Sequence, residues 1–337
     1  MKIPLVAAIR CSLIFLIPSV TYAISAQWDL DPISGDWNAP ANWTPNQVPN
    51  GPADIATFGL SNTTEVSISA DTEVNSIIFS PQASNPYTIT ASLGTTLTIS
   101  GVAITNNSGL TQNLATVSGG EIRFRNNATA GSNLSISNDG GTTNFFDRST
   151  AGSAGIFLQD AGTRFFDHST AGNCTIEASD SLVAFGDRSS AGSATLFMFD
   201  TSLLSFTDHS SAGSAFIGSG LEVDFSDSST AGNATLGISG LLVFAGNSRG
   251  GTAQIHLEEN LTSGLFGFLD ISNHNAPSVT IGSLADDTTL PGVVFLGANN
   301  LTVGSNNLST TFHGVIEEGV LGAGGCRASQ RLPPGGW

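Results

Sequence analysis

Five aspartates recur at an almost constant interval: Asp147, Asp167, Asp187, Asp208 and Asp227, with Asn126 one interval ahead of them. Carboxylates brought to the same point of successive units can hold a hard cation, so a calcium ladder along this column is the boldest chemistry on offer. The glycine–aspartate nonapeptide of calcium-loaded β-rolls is missing, however. The surrounding pattern Asp-x-Ser-Ser/Thr-Ala-Gly suits an Asx-type turn, in which the carboxylate accepts backbone or serine donors close by. That turn is what we expect, with no metal and no cofactor. The residue after each Asp reads Arg148, His168, Arg188, His209 and Ser228. With units about 4.8 Å apart, His168 and His209 would lie ~10 Å from each other. Zinc–nitrogen bonds of about 2.0–2.1 Å cannot span that gap.

Asp286-Asp287 and His313-Gly314 resemble the acidic pair and the His-Gly of the polygalacturonases, which are β-helical enzymes. Acid–base work needs carboxylates that converge on the substrate beside a fixing cation. In those enzymes the cation is a lysine, and the chain's one lysine is Lys2. No Gly-x-Ser-x-Gly, His-Glu-x-x-His or phosphate loop is present. The hydroxyl pairs Ser149-Thr150, Ser169-Thr170, Ser189-Ser190, Ser210-Ser211 and Ser229-Thr230 invite comparison with ice-binding arrays, but they precede a glycine turn rather than lying on a strand. Catalysis is not expected.

What positions these residues is a repeat. Copies such as FFDRSTAGSAGI (145–156), FFDHSTAGNCTI (165–176) and FSDSSTAGNATL (225–236) place a Phe six residues before a small anchor residue. The anchors are Ala130, Ala151, Ala171, Ala191, Ala212, Ala231 and Gly250, separated by 21, 20, 20, 21, 19 and 19 residues. A period near ~20 with β-type residues is one turn of a β-solenoid. Phe124, Phe145, Phe165, Phe185, Phe206, Phe225 and Phe244 should point inward and stack. Gly131, Gly152, Gly172, Gly192, Gly213, Gly232 and Gly251 should occupy left-handed turns. The small residues of the column containing Ala154, Cys174 and Ala194 share the inner face with the following Ile or Leu, because side chains alternate along a strand. Leu134 and Ile136 fall one residue late, implying a bulge or an extra loop residue. No proline occurs between Pro86 and Pro277, as an unbroken ladder requires. The fold class is therefore all-β, a β-solenoid of about a dozen ~20-residue coils over residues 62–318, regular over 124–255.

Residues 1–23 read as a signal peptide: Lys2 and Arg10, a short apolar run, then small residues up to Ala23. No later run is long and apolar enough for a helical membrane span. Residues 24–61 carry Trp28, Trp37 and Trp43 among five prolines, a composition suited to capping the first coil's open edge. A sugar-binding tryptophan platform is the sharper alternative. The formal net charge of −17 excludes binding to phosphate backbones or anionic lipid. Cys174 sits in an alanine column and is expected to be core. An insertion is expected around residues 264–277.

These features together resemble the passenger region of bacterial autotransporters: the STAGNAT-type coils, the opening GDWNAPANW with VPNGPADIATF, and FLGANNLTVGSNNLSTTFHGVIEEG (295–319). The resemblance covers nearly the whole chain after the signal, and its motifs are architectural. It implies a single-stranded right-handed β-helix, exported to the surface of a Gram-negative cell by a C-terminal translocator barrel. It also implies a non-catalytic stalk or adhesion role, with host-surface or extracellular ligands as partners. The alternative is a polysaccharide-active enzyme on the same fold, or a calcium-stabilised roll. In the family, glycine-rich strands with a lysine follow such a segment. Here residues 319–337 turn to Arg, Pro and Gly, an irregular tail expected of a truncated or frameshifted product.

Overall fold

Alternating residues that must bury one face, broken every few positions by Gly or Asp, can only satisfy their backbone by pairing coil upon coil. The computed structural model describes residues 23–260, 264–275, 277–287 and 289–319. The expected signal peptide and the 319–337 tail fall outside these, except Ala23 and Gly319.

The strands form two large sheets, one of 16 strands and one of 11. Each regular coil contributes one strand to each, such as Thr142–Phe145 to the first and Gly155–Gln159 to the second. Neighbouring coils pair in parallel, with equivalent residues in register. A third line of single-residue bridges runs Thr129, Thr150, Thr170, Ser190, Ser211, Thr230 and Arg249. The described residues contain one short 3₁₀ turn, Pro40–Asn42, and otherwise strand and turn. The protein is an all-β solenoid.

Its interior is the expected phenylalanine pillar. The seven rings are at most 1% exposed. Successive centroids lie 4.6–5.1 Å apart with planes within 11° of parallel. Those separations exceed the ~3.5–4.0 Å of direct carbon contact, so the rings are offset, the arrangement the ring quadrupole prefers. The turn glycines all have positive φ; at Gly192 it is +64°, and a Cβ there would stand 2.6 Å from the Gly172 carbonyl oxygen. Only glycine fits both the dihedral and the neighbouring coil. In the first copy the extra residue is in the loop, where Asn133 takes φ +53°, and the ladder from Ser135 onward is continuous. Cys174 is fully buried, and burial pushes its thiol up to about 12.

At the N-terminal end Trp28, Trp37 and Trp43 surround Phe58, with centroids 5.5–6.0 Å from it, and all four are 0% exposed. Each indole N–H donates to a backbone carbonyl. No indole face meets solvent, so the sugar-platform alternative is overturned by burial. Ser25–Trp28 and Gly51–Phe58 already belong to the first sheet, so capping and stacking share these residues. The expected insertion is smaller than its sequence suggests: Phe268–Asp270 is an ordinary strand of the first sheet. The departure is a short antiparallel ladder between Glu259–Asn260 and Leu265–Phe266.

Candidate functional site

Along the turn edge, Asn126, Asp147, Asp167, Asp187, Asp208 and Asp227 all have φ between +53° and +58°. Asn and Asp are the side-chain-bearing residues that tolerate this region best. The seventh copy carries Gly246 there, φ +63°. Asn, Asp and Gly share a backbone preference, not a charge, so conformation explains the column. The carboxylates do not close the local turn expected from sequence. Each Oδ2 reaches across to the preceding coil: Asn126 N donates to Asp147 at 2.9 Å, Asp147 N to Asp167 at 2.9 Å, Asp167 N to Asp187 at 3.0 Å, Asp187 N to Asp208 at 3.1 Å, and Asp208 N to Asp227 at 3.3 Å. Local turn closure falls to the hydroxyls instead, as the Gly152 N–H donates to Thr150 Oγ1 at 3.0 Å, and so down the column. The flanking Ser149, Ser169, Ser189, Ser210 and Ser229 are buried. The hydroxyl pairs therefore form no exposed array.

Beside this edge lie two shallow, open recesses of about 370 and 290 Å³. The second is lined by Asp167, His168, Asp187, Arg188, Asp208 and His209, positive and negative side chains side by side. Among the described residues no three His, Cys, Asp or Glu side chains converge as metal ligands.

The second candidate group splits in two. Asp286 is buried; it accepts from His313 N at 2.8 Å and Gly292 N at 3.2 Å, with His313 Nδ1 3.2 Å away. Its neighbour Asp287 instead meets His256 Nε2 at 3.2 Å. Glu258, held up by burial and by Asp287 against the lowering effect of His256, completes that outer cluster. Asp286 and Asp287 thus serve different imidazoles and do not converge on one point.

On the first sheet's outer face, burial would raise Glu121, but hydrogen bonds from Arg123 and Asn144 and the charges of Arg123 and Arg164 hold it below the usual carboxylate range. Further along, burial together with Glu222 and Asp227 pushes Asp224 up to about 6. The second sheet's outer face is different: Phe157, Phe199 and Phe216 are 42%, 50% and 41% exposed, with Phe197 half-buried among them. Period-2 alternation in GIFLQ, TLFMF and FIGS already places these four rings outward. The repeat columns do not reveal them, because the four do not occupy one column.

The fold and edge geometry define a β-solenoid with structural polar ladders. The chain matches no protein-family model, no curated protein and no solved structure.

Proposed function

We propose that this chain is the passenger segment of an autotransporter-like protein, exported to the cell surface, with a non-catalytic stalk or adhesion role. A translocator barrel would be its partner in export, and extracellular or host-surface molecules its ligands. The observation that carries this reading is the fate of the polar column: each Asp carboxylate accepts a backbone hydrogen bond from the neighbouring coil, which ties coil to coil along a rod. The acidic surface suits display in solvent. The purified chain should adhere to a panel of extracellular matrix proteins or epithelial surfaces while releasing no reducing ends or unsaturated products from pectin and related polysaccharides. Product release would sink the reading.

One observation favours a second reading. His313 is held by the buried Asp286 while its ring stays about half exposed, 46%, as an oriented general base would be. Polysaccharide cleavage abolished by His313→Ala would establish that alternative. The calcium-stabilised roll predicts a lower melting temperature in chelator; an unchanged one removes it.

A further inference from the structure

Phe157, Glu177 and Phe197 follow one another down a single outward column of the second sheet, paired coil to coil. Phe216 lies 5.9 Å from Phe197 edge to face, and Phe199 lies 6.2 Å from it, nearly parallel. Single exposed apolar side chains are ordinary, but a contiguous aromatic cluster on a rigid sheet marks an interaction surface. Here Phe197, Phe199 and Phe216 form that cluster, and the Glu177 carboxylate stands at its edge, between Phe197 and Phe157. Gly218, in register with Phe197, leaves the ring's flank open, since even a Cβ there would sit 3.4 Å from it.

We infer that this face docks a basic, extended segment of another protein, with an arginine or lysine seated on Glu177 between the Phe157 and Phe197 rings and apolar neighbours against Phe199 and Phe216. Charge selects this occupant. Elsewhere the chain supplies its own cations: Arg123 pairs with Glu121 at 2.6 Å, and the Arg125 guanidinium stands 5.1 Å over the Phe146 ring. The strands of the second sheet contain no arginine or lysine, and Glu177 has no ion pair among the described residues. Asp160, Asp180 and Asp200 stand in the turns at the ends of these strands and add negative potential beside the rings. A cation over an aromatic face next to a carboxylate gains from both, and guanidinium is the better fit because it also stacks. A second copy of the chain is a poor occupant, because net charge −17 repels its like.

The inference rests on the display reading and names its ligand-bearing face. The probe is an acetylated octapeptide of alternating arginine and leucine, titrated onto the full chain in 0.15 M salt, where diffuse attraction is screened beyond about 8 Å. The double variant Phe157→Thr, Phe197→Thr keeps strand propensity and should weaken binding about tenfold. Glu177→Gln should weaken it about threefold, and Glu222→Gln on the other sheet should leave it unchanged. Equal losses from Glu177→Gln and Glu222→Gln would mean diffuse charge attraction and overturn the proposal, as would undiminished binding by the double variant. Sedimentation showing self-association abolished by Phe197→Thr would overturn it in favour of a second copy. Surface adhesion undiminished in the double variant would overturn this face while leaving the display role standing; polysaccharide cleavage by the parent would sink the display role whatever the peptide does.

Discussion

The coils up to Leu257 and those beyond it solve the same packing problem differently. In the regular coils one inner position is always Phe, and the ring spacing equals the coil spacing. Beyond them, Leu242 and Val243 pair with Leu269 and Asp270, and the next inward position passes from Phe244 to the aliphatic Ile271. Phe268 and Phe295 also lie near-parallel, at 6.1 Å, but both are half-buried in the sheet's outer columns and do not extend the pillar. The antiparallel ladder at Glu259–Asn260 and the isolated pair Ser278–Ile281 with Asn300–Val303 appear in this same region. Repetition gives register without long-range information, whereas the later coils need particular partners.

The largest effect should come from cutting the pillar. Phe185→Ala should cost about 4 kcal/mol, and Phe206→Ala about the same, because each ring is stacked between two others. Ile271→Ala should cost less, about 2–3 kcal/mol. Urea midpoints read this comparison, and unequal losses at Phe185 and Phe206 would break the claim of equivalence. Next comes Gly192→Ala, where a positive φ and a 2.6 Å approach to the Gly172 carbonyl coincide; about 2–3 kcal/mol is expected. Asp187 sharpens the edge argument. Asp187→Ala should lose about 1–2 kcal/mol through strain and the lost inter-coil bond, while Asp187→Asn should lose under about 0.5. If Asn behaves like Ala, charge and not backbone sets that column.

A further modest effect fades as the pH falls. Asp224 titrates near 6 in the native state, above its ordinary 3.8, so the native chain binds that proton more tightly. Its favourable contribution is complete in acid and is lost as pH rises through 6. At pH 7 the ionised group opposes folding, and Asp224→Asn should stabilise by about 1 kcal/mol after allowance for solvent screening of a half-buried group. Below about pH 3, under both the unfolded and the native titration, the variant and parent should melt together. A constant difference across that range would refute the linkage.

The pillar, the glycine corners and the solenoid were legible because they depend on periodicity alone, which seven copies display openly. The aspartate column was legible as a column but not in its job. Local motifs suggest closure within the turn, and the bond instead crosses to a residue about 20 positions away, which only coil stacking brings near. The Asp286–His313 and Asp287–His256 pairs were hidden for a related reason. Adjacent aspartates on an extended segment face opposite ways, so their proximity in sequence implies no shared target. The buried tryptophans followed from the need to seal an apolar end. The outward phenylalanines were readable from alternation, yet they stood outside the repeat's own grammar.

The in-register pairing Phe145, Phe165, Phe185 has a corollary. Excising residues 166–185 would join Phe165 to Gly186 with every later contact re-formed one storey down. The molecule would shorten by about 4.8 Å and otherwise refold. Length is thus set by the number of coils and can change in whole storeys without altering the join between them.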